Sequence, residues 1–260
     1  MDKNILLKRN ETEDGGWAEV ILNRPEKGNA LTLEMLNELG QITEDLRSDG
    51  GLRAIVLRGE GRFFCTGGDI NEWSAMSPSQ MAEEWILRGI EIFARIAALP
   101  QPVVAVLNGH TLGGGLELAL AADIRIAAAG AKLGVPEVRL GMISGWGGVR
   151  RLAETIGVSR ARMMTLTGEP IDAATALDFG LVHFVEESAS DVEARVERLM
   201  RQFFSNGPIA MRVTKGLLAT AHEDLRFAHA SAVAQVAATE DCKEGVEAFR
   251  EKRQARFKNQ

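Results

Sequence analysis

Two short runs, residues 52–57 and 103–107, are almost wholly apolar and are bounded by Gly or Pro. Such runs predict buried strands. Between and around them lie segments with helical spacing. Thr32 is placed to cap a helix with Leu36, Leu39, Ile42 and Leu46 on one face. Residues 81–99 continue the pattern until Pro100 and Pro102 end it. Further strands are expected at 17–22, 124–128 and 132–135, with helices at 116–122 and from Val149 onward. Strands therefore alternate with helices to about residue 185, which is the mark of an α/β core. After Asp191 no further strand is expected, and helices are expected at 208–221, 224–238 and 240–257, following a turn at Ser205-Asn206-Gly207-Pro208.

The most informative stretch is Asn108-Gly109-His110-Thr111-Leu112-Gly113-Gly114-Gly115-Leu116-Glu117. A strand runs into three consecutive glycines and a helix begins directly after them. Free N–H groups at a helix start favour negative charge, and glycine removes the side chains that would keep a ligand away. The segment suits an anion or a developing oxyanion. Glu117 lies one turn into that helix. Glu137 follows Pro136 after the 132–135 strand, so an out-and-back path through residues 118–136 returns it to the glycine loop. Two carboxylates around one water can orient it and move a proton. Phe63-Phe64-Cys65-Thr66-Gly67-Gly68-Asp69-Ile70 offers further backbone amides after the 52–57 strand.

Several other chemistries are excluded. The glycine spacing does not fit a dinucleotide fingerprint, no phosphate-loop lysine follows, and Ser144 is not framed as a nucleophile elbow. His222-Glu223 lacks the second His of a zinc-protease helix. Cys65 and Cys242 are far apart and have no metal-ligand spacing, which argues against a disulfide scaffold and for a reducing compartment. A net charge of −6 disfavours nucleic-acid binding. The apolar stretch at 116–128 is interrupted by Glu117, Asp123 and Arg125, so no membrane span is expected. No leader peptide is visible, and a cytoplasmic protein is expected.

In order, Phe64-Cys65-Thr66-Gly67-Gly68-Asp69-Ile70, Leu112-Gly113-Gly114-Gly115-Leu116-Glu117-Leu118-Ala119, Val135-Pro136-Glu137 and Gly145-Trp146-Gly147-Gly148 resemble the motif series of the enoyl-CoA hydratase/isomerase (crotonase) superfamily. Asn29-Ala30-Leu31, Gly168 to Val182 and Glu244 to Phe249 extend the likeness over nearly the whole chain. The resemblance implies a core of ββα spiral turns in which two sheets meet at an angle. It divides the chain into an acyl-CoA-binding catalytic core, 1–205, and a C-terminal helical oligomerisation region, 206–260, with assembly as a homotrimer or a dimer of trimers.

It also implies an oxyanion hole from the Thr66 and Gly114 amides. Lys27, Asn29, Ala30, Cys65, Gly67, Gly68, Asp69 and Ile70 would bind substrate at the adenine end of coenzyme A, with Lys27 a candidate for a phosphate. Glu117 would act as the base on water, and Glu137 would protonate the carbon next to the thioester carbonyl. The implied reaction is reversible hydration of a 2-enoyl-CoA, with no metal and no cofactor beyond the coenzyme A of the substrate. Enoyl-CoA isomerisation or a carnitinyl-CoA-type dehydration on the same scaffold is the alternative. An RNA-binding relative is a third reading, opposed by the acidic balance. Thr66 and Gly68 stand where Ala is common, and Ser144 stands for a frequent Pro. Trp146 replaces a small residue. Its indole either lines the acyl pocket and changes the acyl group accepted, or packs away from it.

Overall fold

The computed structural model describes residues 3–12, 15–219 and 225–260. Ten strands are formed among them: β1 (Ile5–Thr12), β2 (Gly15–Leu22), β3 (Leu52–Gly59), β4 (Phe63–Cys65), β5 (Val103–Leu107), β6 (His110–Leu112), β7 (Ile124–Ala128), β8 (Lys132–Gly134), β9 (Ile171–Asp172) and β10 (Phe184–Glu186). A six-stranded sheet has the order β1-β2-β3-β5-β7-β10, parallel from β2 to β10, with β1 antiparallel at the edge. A four-stranded sheet has the order β4-β6-β8-β9.

The chain winds through both sheets. Each of β3, β5 and β7 lies in the large sheet and is followed by β4, β6 or β8 in the small one, after which the chain turns into helical structure. A fourth, abbreviated turn is made by β2, the isolated bridge of Leu31 to Gly68, and helix α1 (Leu33–Ser48). This is the ββα spiral expected from the resemblance. Thr32 caps α1 as expected, accepting the Met35 N–H at 3.1 Å.

The uninterrupted apolar runs are explained by burial on both faces of the sheet. Ile55 and Leu57 of β3, with Val103, Ala105 and Leu107 of β5, face the main core. Ala54, Val56, Val104 and Val106 face a second layer beneath a helix at 189–204.

The expected helix at 81–99 is divided. Short helices α2 (Ile70–Trp73) and α3 (Pro78–Gln80) lead into a π-helical segment, Met81–Ile86, before α4 (Leu87–Ala97). α5 (Gly114–Ala119) starts at the glycine triplet. α6 (Gly148–Ile156), α7 (Val158–Thr167) and α8 (Ala173–Asp178) follow, then α9 (Ala189–Phe204), the helix of the second layer.

α9 was not read from the sequence, although Ser188 caps it through the Asp191 N–H. β1 was missed because its outer residues are exposed polar groups on an edge strand. β4 and β6, each three residues long, are too short to show strand alternation in the sequence.

The C-terminal helices are α10 (Pro208–Ala219), α11 (Leu225–Ala237) and α12 (Glu240–Glu251). The expected boundaries at Ala221 and Asp224, and the His222-Glu223 pair, fall outside the described residues. α12 stops short of residue 257 because Lys252 takes a left-handed conformation, φ 56°. The tail then returns, and Asp241 accepts the Lys258 and Asn259 amides. No helix of the described residues is long and apolar enough to cross a membrane.

Candidate active site

The three spiral turns deliver their glycine-rich corners to one cleft, which is partly open to solvent. The end of β4 contributes Thr66, Gly67 and Gly68, and the start of α5 contributes Gly113, Gly114 and Glu117. Glu137 stands on a 3₁₀ turn, Pro136–Leu140, that follows β8 and closes on Gly141 at φ 69°. The out-and-back path expected between the two glutamates is thus made by β7 and β8.

Glu117 is 1% exposed. Its Oε1 accepts the backbone N–H of Trp146 at 2.9 Å and of Gly148 at 2.7 Å. Burial pushes its pKa up to about 7, against the pull of the Gly148 amide, with the Glu137 charge adding to the rise and the Trp146 amide and Arg151 opposing it. Glu137 is half-buried and also raised by burial, against smaller downward pulls from its own backbone N–H and then from the Ser144 hydroxyl. Its Oε2 is buried without a hydrogen-bond partner among the described residues. Its Oε1 lies close over Gly113, where a Cβ would fall 2.9 Å away. Two carboxyl groups whose pKa values are both raised by burial therefore meet at one cavity.

The amide donors differ from expectation. The Thr66 N–H is spent on Gly28 O at 3.0 Å, and Thr66 Oγ1 donates to the same carbonyl at 3.2 Å. Thr66 cannot serve as an oxyanion donor while those bonds stand. The reason is tertiary: residues 28–31 run alongside 66–69, joined also by Leu31 N to Gly67 O and Asp69 N to Leu31 O, each 2.8 Å. Gly68 lies two residues on, lines the cleft, and its N–H has no partner among the described residues. The Gly114 N–H, at the first position of α5, is unpaired in the same way. Gly68 therefore replaces Thr66 as the first available amide.

The other expected site residues divide into two groups. Gly67, Gly68, Ile70 and Trp146 line the cleft. Lys27, Asn29, Ala30, Cys65 and Asp69 do not, and most of them hold the 28–31 and 66–69 segments together. Asn29 is fully buried with φ 55°; its Nδ2 donates to Glu60 O and Phe63 O, and its Oδ1 accepts the Arg24 N–H. Asp69 caps α2 and pairs with Arg24 at 3.2 Å, and Arg24 also donates to Ala30 O. Cys65 is buried against Gly115, with its thiol pushed up to about 12 by burial. Lys27 is exposed beside this bracket.

Sequence reasoning missed the apolar wall made by Trp73, Met81, Trp85 and Ile86, and the facing loop of Leu140, Met142 and Ile143. The π-helical turn that aims Trp85 inward has no sequence signature of its own, although such turns recur at functional sites.

The chain matches the family model for enoyl-CoA hydratase/isomerase over residues 12–260. It is 35% identical over 263 residues to the short-chain-enoyl-CoA hydratase of Clostridium acetobutylicum, covering 98% of each chain. It is 36% identical to the mitochondrial methylglutaconyl-CoA hydratase of Mus musculus, over 100% of this chain and 85% of that one. The crystal structure of an enoyl-CoA hydratase from Bacillus anthracis superposes with a TM-score of 0.92 at 35% identity, covering 99% of this chain and 100% of that one.

Proposed function

The chain belongs to the enoyl-CoA hydratase/isomerase family, and we propose that it hydrates a 2-enoyl-CoA thioester to the 3-hydroxyacyl-CoA. The observation that carries this is the meeting of Glu117 and Glu137, both raised in pKa, in a cleft that also presents the unpaired Gly68 and Gly114 amides.

In this scheme a water held between the carboxyl groups adds its oxygen to C3 while Glu117 takes its proton. The C2–C3 π electrons move to the thioester oxygen, which rests on the Gly68 and Gly114 N–H groups. Glu137, protonated, then gives its proton to C2 and the carbonyl re-forms. Each amide donor contributes roughly 2.7–4 kcal/mol toward lowering the barrier. Hydration is redox-neutral and the amides carry the developing charge, so the scheme calls for no cofactor beyond the coenzyme A of the substrate.

Both carboxyl groups favour water addition over isomerisation, because moving a double bond needs one proton carrier and no water. The apolar wall of Met81, Trp85 and Ile86 suits an acyl tail, in keeping with a place in acyl-chain breakdown. Names among the relatives, such as short-chain-enoyl-CoA hydratase, fit the same reading.

The reading extends to assembly as a trimer or a pair of trimers. Leu218, Val233 and Phe249, on α10, α11 and α12, are 83%, 64% and 86% exposed, and such apolar side chains suit contact with a neighbouring copy. With its two free cysteines, the chain suits the cytoplasm.

The test follows the ultraviolet absorbance of crotonyl-CoA on addition of the protein. Loss of the conjugated-thioester signal, abolished in Glu137→Gln, is expected. Tight binding of the thioester with no loss of signal would overturn hydration of short acyl groups.

A further inference from the structure

Trp146 is 2% exposed, yet its ring reaches the cleft. Its backbone N–H holds Glu117 Oε1, while its indole N–H donates to Trp85 O at 3.0 Å. The ring lies 5.1 Å from Trp85 and 5.3 Å from Phe93, centroid to centroid. Two glycines press on it, and a third lies nearby. A Cβ at Gly89 of α4 would collide with the five-membered ring, and a Cβ at Gly114 would collide with Cζ3 on the opposite, benzenoid edge. A Cβ at Gly68 would fall 3.5 Å from Cη2 and 2.7 Å from Trp85 Cζ2. The benzenoid edge therefore lies tight against Gly114, and it meets the Gly68 side together with Trp85, the closer neighbour there.

We infer that Trp146 is the positioning residue of the oxyanion site: its indole sets the spacing of the Gly68 and Gly114 amides while its own amide sets Glu117. The two donors come from different spiral turns, and their N–H groups have no internal partner to fix them. The Leu31 bridge holds the Gly68 backbone from one side, and packing on these glycines decides the rest of their placement. A planar ring pinned at one end by Trp85 O and Gly89 is a stiff spacer, because close-packed interiors yield little. Oxyanion donors act through placement, so a displacement of about 1 Å is enough to lose on the order of 100-fold in rate.

The inference rests on the hydratase reading, and the test separates the two. The infrared band of butyryl-CoA labelled with ¹³C at its carbonyl is recorded free and bound, since this saturated thioester binds without turning over. Binding to the unaltered protein is expected to lower the carbonyl frequency, Trp146→Phe to keep most of that shift, and Trp146→Ala to lose most of it. In crotonyl-CoA hydration, Trp146→Ala is expected to lower kcat on the order of 100-fold, with KM changed only a few-fold.

Gly114→Ala introduces a methyl that competes with the indole for one space. Its loss in kcat and that of Trp146→Ala are therefore expected not to multiply in the double variant. Where Trp146→Ala does not fold, Trp146→Leu keeps apolar volume without the flat edge and is expected to lose the shift. A full shift retained in Trp146→Ala or Trp146→Leu, or losses that multiply, would overturn the inference. Absence of a shift in the unaltered protein would remove the oxyanion reading and this inference together.

Discussion

The Gly148 amide donates to Glu117 Oε1 at 2.7 Å, and the Gly148 Cα presses so closely on the same side chain that a Cβ would collide with Glu117 Cγ. The start of α6 thus forms a socket for the buried carboxylate. Gly148→Ala is expected to push Glu117 off its two amides. The expected outcome is a fall in kcat on the order of 100-fold, from misplacement of the base, with little change in KM. Steady-state kinetics with crotonyl-CoA measure this, and an unchanged kcat would show that the socket does not position the base.

The raised pKa of Glu117 gives two pH dependences. As a base Glu117 must be ionised, so hydration at low substrate should rise as pH increases through about 7. For stability the sign is the reverse of a salt-bridged carboxylate. The folded state holds the proton more tightly than the unfolded chain, whose carboxyl has the ordinary value of 4.5. The stability from protonated Glu117 is therefore fully present below pH 4.5 and is lost as pH rises through about 7, a change of roughly 3 kcal/mol. Glu117→Gln removes this dependence. Melting temperatures at pH 5 and pH 8 should show the variant gaining on the unaltered protein at the higher pH; a constant difference would contradict a raised folded-state value.

Gly68 and Thr66 can be distinguished by exchanging single backbone amides for esters. Glycolic acid in place of Gly68 removes its N–H and adds no side chain. Hydration should fall about 100- to 1,000-fold in kcat. The same exchange at Thr66 removes only the bond to Gly28 O. It should lower stability by about 1 kcal/mol and leave kcat within a few-fold. The opposite pattern would restore Thr66 as the donor.

Asn29 is a bracket rather than a substrate contact. Its amide makes three hydrogen bonds at 2.8–3.0 Å, and its φ of 55° suits Asn better than Ala. Asn29→Ala should cost about 3 kcal/mol of stability, measured by urea unfolding, while the folded fraction keeps its kcat. A drop in kcat without loss of stability would return Asn29 to the binding site.

The local sequence by itself determined the elements whose signals are local. Apolar runs marked β3, β5 and β7, Thr32 marked the start of α1, and the triplet Gly113-Gly114-Gly115 before Glu117 marked a backbone built for close approach. The meeting of Glu117 and Glu137 at one cleft followed from the out-and-back path expected through residues 118–136.

Only the tertiary structure decided which atoms are free to act. Whether the Thr66 amide or the Gly68 amide faces the cleft depends on a partner carbonyl 38 residues away. Whether Trp146 lines the acyl cleft or packs away from it was settled as both, by glycines on two helices and a carbonyl of the π-helical turn. Propensity and glycine spacing are written in neighbouring residues, whereas hydrogen-bond occupancy and packing are properties of the whole assembled chain.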